Sequence, residues 1–393
     1  MERSSLKPTP GERNVTTIKE CTDAQLLAEL ELRNIVMHQK VTHRLVQSKY
    51  KLGRLLGQGA SAPVYAAECR ADGTQVAIKV IQKNDDMNDF ESMQTELRIL
   101  KMVHHRYVLD VRELFETEHT IWIVMPLIRG GELLDVLIGH GVYNESDAAR
   151  LMKQVLLAVT YLHSQGIVHR DIKLSNMLLE EKDRHSDIKL SDFGLSAVLP
   201  RGEYDAADKE AMKAYNKLAD RWGTCYYFAP EMIARAYGPQ VDLWACGVVL
   251  FELLVGQRPF CAKRQADVFN KIKDAPSVLR ALFARPEWAD ISESARDLVC
   301  RLLEPDPAKR LSADEALQHP WIQLRETRGA RELRVASALL KRQMAEKRLT
   351  SIWHVLDIIN ALEPSGGSAY KLPPLLAETA SRNSRLAVLE SSE

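Results

Sequence analysis

Apolar positions along the chain change period midway. From Tyr50 to Ile81 short β-branched runs separated by glycine-containing breaks, Tyr50 to Leu56, Val64 to Cys69 and Gln75 to Ile81, predict an antiparallel sheet. Two further runs, around Val108 to Phe115 and Ile121 to Met125, extend it. After Gly130-Gly131 the period becomes helical, with Ala149, Leu151, Met152, Val155, Leu156, Val159 and Leu162 repeating at helical spacing through Asp147 to Gln165. The pattern therefore predicts an α+β, bilobal architecture: a small β-rich lobe, then a larger α-helical lobe. No internal repeat is visible.

The flanks read differently. The polar first 20 or so residues carry no apolar periodicity, as expected of disorder. Thr22 with Gln25 three positions on reads as a capping box, and the spacing predicts a helix from about Asp23 to Val46 whose apolar face holds Leu26, Leu27, Leu30, Ile35, Val36 and Leu45. Past His319-Pro320-Trp321 a basic helical stretch runs to about Leu362. The tail beyond it, with Pro364, Gly366, Gly367, Pro373 and Pro374, reads as linker or disorder. The expected organisation is an N-terminal extension over 1–49, a central domain over 50–322, a basic amphipathic segment over 323–362 and a tail over 363–393.

Composition narrows the function classes. Lys and Arg number 53 against 53 Asp and Glu, so the net charge is zero and the basic excess needed to coat nucleic acid or an anionic membrane is missing. No nucleic-acid partner is expected. Cys21, Cys69, Cys225, Cys246, Cys261 and Cys300 form no Cys-x-x-Cys pair, which fits a reducing setting better than a disulfide framework or a zinc site. The longest uncharged apolar stretch, Leu243 to Phe251, is far shorter than the roughly 18 residues a membrane span needs. The start of the chain lacks the apolar core of a signal peptide, so the expected location is intracellular and cytoplasmic, with the nucleus open.

The chemistry-bearing residues come in order along the chain. Gly57-Gln58-Gly59-Ala60-Ser61-Ala62-Pro63-Val64 lies between two predicted strands, where small residues let a hairpin close over an anionic ligand such as phosphate. Alone it is a glycine-rich hairpin. Val76-Ala77-Ile78-Lys79 then aims an ammonium into the same space, and Glu96 on the next helix is a carboxylate able to hold it. A surface ion pair is the bland reading of that couple. His169-Arg170-Asp171-Ile172-Lys173-Leu174-Ser175-Asn176 and Asp192-Phe193-Gly194 decide the matter. Phosphoryl transfer needs a carboxylate for the hydroxyl proton, an amide and a carboxylate for Mg²⁺, and a cation on the transferring group; Asp171, Asn176, Asp192 and Lys173 are that set.

With Ala229-Pro230-Glu231 downstream, the chain over Tyr50 to Ile322 resembles the eukaryotic protein kinases. The resemblance implies a bilobal kinase fold that binds ATP with Mg²⁺ in the interlobe cleft. It implies Leu56, Gly57, Gln58, Gly59, Ala60, Ser61, Val64 and Ala77 around the nucleotide, and Met125 as gatekeeper with the backbone of Pro126 and Ile128 at adenine. Lys79 would touch the α and β phosphates and pair with Glu96; Glu132 would lie near ribose and the incoming peptide. Asp171 and Lys173 are the implied catalytic pair, and Asn176 and Asp192 the implied metal ligands. Asp242 resembles the brace of the catalytic loop, and Arg310 the buried partner of Glu231. Lys173 and Gly223-Thr224-Cys225-Tyr226-Tyr227 look like the serine/threonine branch. Gly130-Gly131-Glu132-Leu133 and the closing Arg310 to Ile322 resemble the calcium/calmodulin-dependent group, although no Asp-x-Asp-x-Asp-Gly calcium loop occurs. Protein hydroxyls are the implied acceptors; the alternative is a catalytically silent kinase-fold scaffold, disfavoured because Lys79, Asp171, Asn176 and Asp192 are all present.

Departures touch regulation rather than catalytic atoms. Ser175 stands where basophilic relatives carry a carboxylate, which weakens an expected preference for basic peptides that Glu132 and Glu252 still support. The stretch from Pro200 to Gly223 contains no Ser or Thr, so Asp220 is a candidate for a fixed charge facing Arg170, with Tyr204 and Tyr215 as modifiable positions. From Arg331 to Trp353, basic residues interleave with Leu340, Met344, Leu349 and Trp353 in a pattern similar to calmodulin targets. A helix that packs on the large lobe gives the same periodicity.

Overall fold

The computed structural model describes residues 36–40, 43–58, 62–83, 87–139, 143–183, 185–199, 225–234, 238–323 and 333–342. Two compact units divide the chain, 1–340 and 341–393; beyond residue 342 the second lies outside the described residues.

The small lobe is built on β1 (Val36–Lys40), α1 (His43–Lys49), β2 (Tyr50–Gln58), β3 (Pro63–Cys69), β4 (Gln75–Gln82), α2 (Met87–Met102), β5 (Glu113–Glu116) and β6 (Thr120–Pro126). One six-stranded sheet runs in the order β1-β5-β6-β4-β3-β2. The alternation of β6 sorts its side chains to two faces. Trp122 and Val124 join Val76, Ile78, Val80 and Phe115 on one; Ile121 and Ile123 join Met93 and Leu97 of α2 on the other. Between its terminal glutamines Gln75 and Gln82, central β4 is apolar on both sides except at Lys79.

Two sequence expectations need correction here. The long helix over Asp23 to Val46 does not form across 36–40: those residues are strand β1, paired parallel to β5 with Gln39 opposite Phe115 and Lys40 opposite Glu116. The edge of β5 offers a row of backbone donors and acceptors, and pairing satisfies them where a solvated helix would leave them open. Of the expected helix, the described residues form α1, which buries Val46 beside Tyr50. Residues 1–35 lie outside the described residues. The expected strand over Val108 to Phe115 shrinks to β5; Val108 makes one bridge to Leu190, and the Leu109 N–H donates to the Leu190 carbonyl at 2.9 Å, which ties the lobes together.

The large lobe follows with β7 (Gly131–Glu132), α3 (Leu133–Gly139), α4 (Glu145–Ser164), β8 (Ile167–Val168), β9 (Met177–Leu179), β10 (Ile188–Leu190), β11 (Ala197–Val198), α5 (Pro230–Ile233) and α6 (Gln240–Val255). Asn144 caps α4 in a reciprocal box with Asp147, so the helix starts two residues earlier than its apolar period suggests. Every residue of α6 from Val241 to Val255 is buried, as expected for a helix apolar all round. Then come α7 (Gln265–Lys273), α8 (Ala275–Phe283), α9 (Glu293–Leu302), α10 (Ala313–Leu317), α11 (Pro320–Gln323) and α12 over 334–342. The Glu145 carboxylate accepts from Ser292 N at 2.9 Å, Ser292 Oγ at 2.7 Å and Trp321 Nε1 at 3.0 Å, joining α4, α9 and α11. Ahead of α12, Leu333 donates its N–H to the Tyr143 carbonyl, and Leu333, Ala336 and Leu340 are buried in the large-lobe core. Leu340, the first of four expected calmodulin anchors, is thus spent on packing; Met344, Leu349 and Trp353 lie outside the described residues. Among the described residues no helix is long and apolar enough to cross a membrane.

Candidate active site

The β2–β3 hairpin brings Gly57 opposite Val64 and Gln58 opposite Pro63, while Gly59, Ala60 and Ser61 at its tip lie outside the described residues. Under it, β4 pairs with β3 and β6, so Ala77 stands opposite Met125 and Val76 opposite Pro126. This register sets Ala77, Met125 and Pro126 on one stretch of backbone where the sheet ends, with half-buried Ile128 two residues on. Leu56 is exposed and Val64 half-buried. Lys79 Nζ reaches Glu96 Oε1 at 2.7 Å, and both side chains are largely shielded from water. Shielding turns the surface-pair reading into a positioned ammonium.

The catalytic loop runs between β8 and β9. Asp171 is buried, and its Oδ2 accepts from Lys173 Nζ at 2.7 Å and from Asn176 Nδ2 at 3.0 Å. Asn176 Nδ2 also donates to the Asp171 carbonyl at 2.8 Å, which leaves the amide Oδ1 as acceptor. Asp171 Oδ1 is buried and has no hydrogen-bond partner. A carboxylate with one oxygen fixed by a cation and an amide, and the other free, is arranged to accept a proton.

Two backbone strains frame this loop. Arg170 has φ of 65° and Asp192 φ of 69°, a region that costs a non-glycine residue about 1–3 kcal/mol. Asp242 restrains the first: its Oδ1 accepts from Arg170 N at 2.8 Å, and its Oδ2 from His169 N and His163 Nε2, each at 2.9 Å. Burial alone would raise the Asp242 pKa; the His163 hydrogen bond and charge, with the His169 contacts, outweigh it and hold the carboxyl below its ordinary value. The second strain lies at the Asp192 turn, where Gly194 N donates to Asp192 Oδ1 at 3.3 Å and Phe193 is buried against the His169 ring. A Cβ on Gly194 would stand 3.3 Å from Asp192 Oδ1 and 3.6 Å from Glu96 Oε2, which places α2 and the Asp192 turn side by side.

Outside the catalytic loop, Arg310 makes a bidentate pair with Glu231, its Nη2 at 3.0 Å from Oε2, and Tyr227 donates to Glu252 at 2.6 Å. Glu132 lies on β7 opposite Leu178 of β9. Gly130 ahead of it is obligatory, since a Cβ would meet the Leu179 carbonyl oxygen at 2.2 Å. His163 as a third partner of Asp242, and Tyr227 with Glu252, escaped the sequence reading because they join positions 79 and 25 residues apart with no local signature. Tyr204, Tyr215 and Asp220 lie outside the described residues.

A model of the protein kinase domain matches residues 50–322. The chain belongs to the protein kinase family, in its serine/threonine branch. It is similar to myosin light chain kinase A of Dictyostelium discoideum, 34% identical over 78% of this chain and 99% of that one. Calcium/calmodulin-dependent protein kinase type 1 of Macrobrachium nipponense is 35% identical over 81% of this chain and 87% of its own length. Against calcium-dependent protein kinase 32 of Arabidopsis thaliana the identity is 36% over 74% of this chain, but only 52% of the plant kinase is spanned. The protein is a serine/threonine kinase related to the calcium/calmodulin-dependent group, and the intact catalytic set supports activity over the silent scaffold.

Proposed function

We propose that this kinase passes the γ-phosphoryl group of ATP to Ser and Thr hydroxyls, with Asp171 as the proton acceptor. The observation that carries the reading is the buried, unpartnered Asp171 Oδ1 beside an Oδ2 held by Lys173 and Asn176. A substrate hydroxyl donating to Oδ1 completes its hydrogen bonding and is oriented for in-line attack. Lys173 Nζ, already at the carboxylate, offsets charge on the transferring group, and Lys79, held by Glu96, positions the α and β phosphates. The donor set suits Mg²⁺, a hard cation that prefers oxygen: the Asn176 amide oxygen and the Asp192 carboxylate would hold it. When bound, Mg²⁺ neutralises charge on the nucleotide phosphates. Adenine would lie along Met125, Pro126 and Ile128.

Transfer of labelled phosphate from Mg-ATP to a mixed Ser/Thr peptide pool tests this. Wild type should transfer and Asp192→Ala should not; equal transfer by both would refute the assignment of Asp192.

For regulation we propose that the Arg331 to Trp353 segment binds calmodulin. The basic amphipathic pattern supports it, as do relatives named calcium/calmodulin-dependent. Capture of Leu340 would cost its packing in the large-lobe core, so docking and capture compete. Calcium-loaded calmodulin should raise activity, and a Trp353→Ala chain responding as fully as wild type would count against it.

A further inference from the structure

Past the end of α6 lies a half-buried cation that the mechanism does not use. Arg258, three residues past the end of α6, sets its guanidinium over the Tyr226 ring with Cζ 4.1 Å from the centroid. Its Nε is buried and without a hydrogen-bond partner, and among the described residues no carboxylate comes within ion-pairing distance of it. The carboxylate whose field reaches it is Glu252, whose Oε2 already accepts from Tyr227 Oη at 2.6 Å. Tyr226 and Tyr227 belong to the turn just before Ala229-Pro230-Glu231, and Tyr227 lies in the field of Asp171. The cluster therefore borders the place where the acceptor hydroxyl must sit.

The energetics of this cluster are lopsided. Burial pushes the Glu252 carboxyl up, while the Tyr227 hydroxyl and Arg258 work the other way, so the carboxylate has its compensation within the protein. A guanidinium with one face on an aromatic ring still presents N–H donors at its edge, and a desolvated donor left unpaired is costly. An incoming arginine would meet a carboxylate already shared and a cation of its own sign. An incoming carboxylate would pair with the N–H donors at the outer edge of the half-buried guanidinium.

We propose that Arg258 is a substrate-selectivity residue, taking an acidic side chain of the phosphoacceptor peptide next to the Tyr226-Tyr227 turn and disfavouring arginine there. This rests on the kinase reading above and adds a substrate class to it. It also gives a physical reason for the weakened basic preference expected from Ser175.

The test uses the full-length protein and peptide series that scan Glu, Ala and Arg through the positions flanking a single Ser. At the most selective position wild type should prefer Glu over Arg in kcat/KM. Arg258→Gln should lower that Glu/Arg ratio by about three- to tenfold, the worth of one partly screened charge pair. Arg258→Lys should retain most of the ratio, because it keeps the charge while losing the stacked plane. Rising salt should lower the wild-type ratio, a readout that needs no variant to fold. A ratio moved by neither Gln nor salt, or a wild-type preference for Arg at every position, overturns the assignment while leaving the kinase intact. Absence of transfer to any peptide, including the neutral ones, overturns the kinase reading and this assignment with it.

Discussion

At the scale of single residues, function depends on which oxygen or nitrogen is left over after the fold has used the others. Asp171 and Asp242 are both buried aspartates near the catalytic loop, yet they differ in that respect. Asp242 accepts hydrogen bonds at both oxygens, three in all, whereas Asp171 keeps Oδ1 open. Asp171→Asn should therefore lower kcat by about 10²–10⁴-fold, the range for loss of a positioned base, with nucleotide affinity measured by titration nearly unchanged. Asp242→Asn should instead cost about 3 kcal/mol of stability, since an amide nitrogen would face donors. Its effect has a pH signature. The folded Asp242 pKa is depressed, so its stabilisation is complete above the unfolded value of about 3.9 and fades as pH falls through the folded value. The difference in Tm between wild type and Asp242→Asn should be large at neutral pH and shrink toward acid. A gap that holds constant down to the lowest measurable pH would refute the hydrogen-bonded anion.

Elements show where local pattern and tertiary demand part company. Val36 belongs to an apolar run from Leu26 to Leu45 whose spacing suits a helix, yet the open edge of β5 makes 36–40 a strand. Shortening the chain to begin at His43 should speed amide exchange in β5 and lower Tm, and unchanged protection of Phe115 and Glu116 would sink the pairing. At the other end, α12 depends on one glycine. Gly256 closes α6 with φ of 74°, and a Cβ there would stand 2.4 Å from the Ala336 carbonyl oxygen. Gly256→Ala should cost at least about 1–3 kcal/mol from backbone strain and release α12, seen as lost protection of its amides. Leu340, the first anchor of the 331–353 pattern, lies in the large-lobe core, because an apolar position at helical spacing meets the requirement of intramolecular packing as well as that of a partner groove.

Across the whole molecule, α6 sets a distance: Asp242 at its start holds the catalytic loop, and Gly256 at its end receives α12 about 20 Å away at 1.5 Å per residue. The described part of the C-terminal segment therefore packs on the large lobe at the Gly256 end of α6, away from Asp242, and we propose that the C-terminal segment also restrains catalysis. A chain ending at Arg325 should lose roughly 3 kcal/mol or more because the large-lobe core surface that Leu333, Ala336 and Leu340 cover is left open to water, read as a lower Tm. One ending at Arg342 should keep the wild-type Tm, so activity gained by the second cut reports on inhibition alone. The sequence by itself determined the protein kinase family and the two-lobed order, and it named the candidate catalytic groups, because phosphoryl transfer demands fixed residue types at short spacings such as Asp171 to Asn176. It also determined the main helices, whose apolar faces repeat within one element. Tertiary structure alone decided that residues 36–40 are strand, that Leu340 is core, that His163 joins Asp242 and that Arg258 lies over Tyr226. Each of these joins positions far apart in sequence, and the free energy of such a contact resides in its partner, which no local window contains.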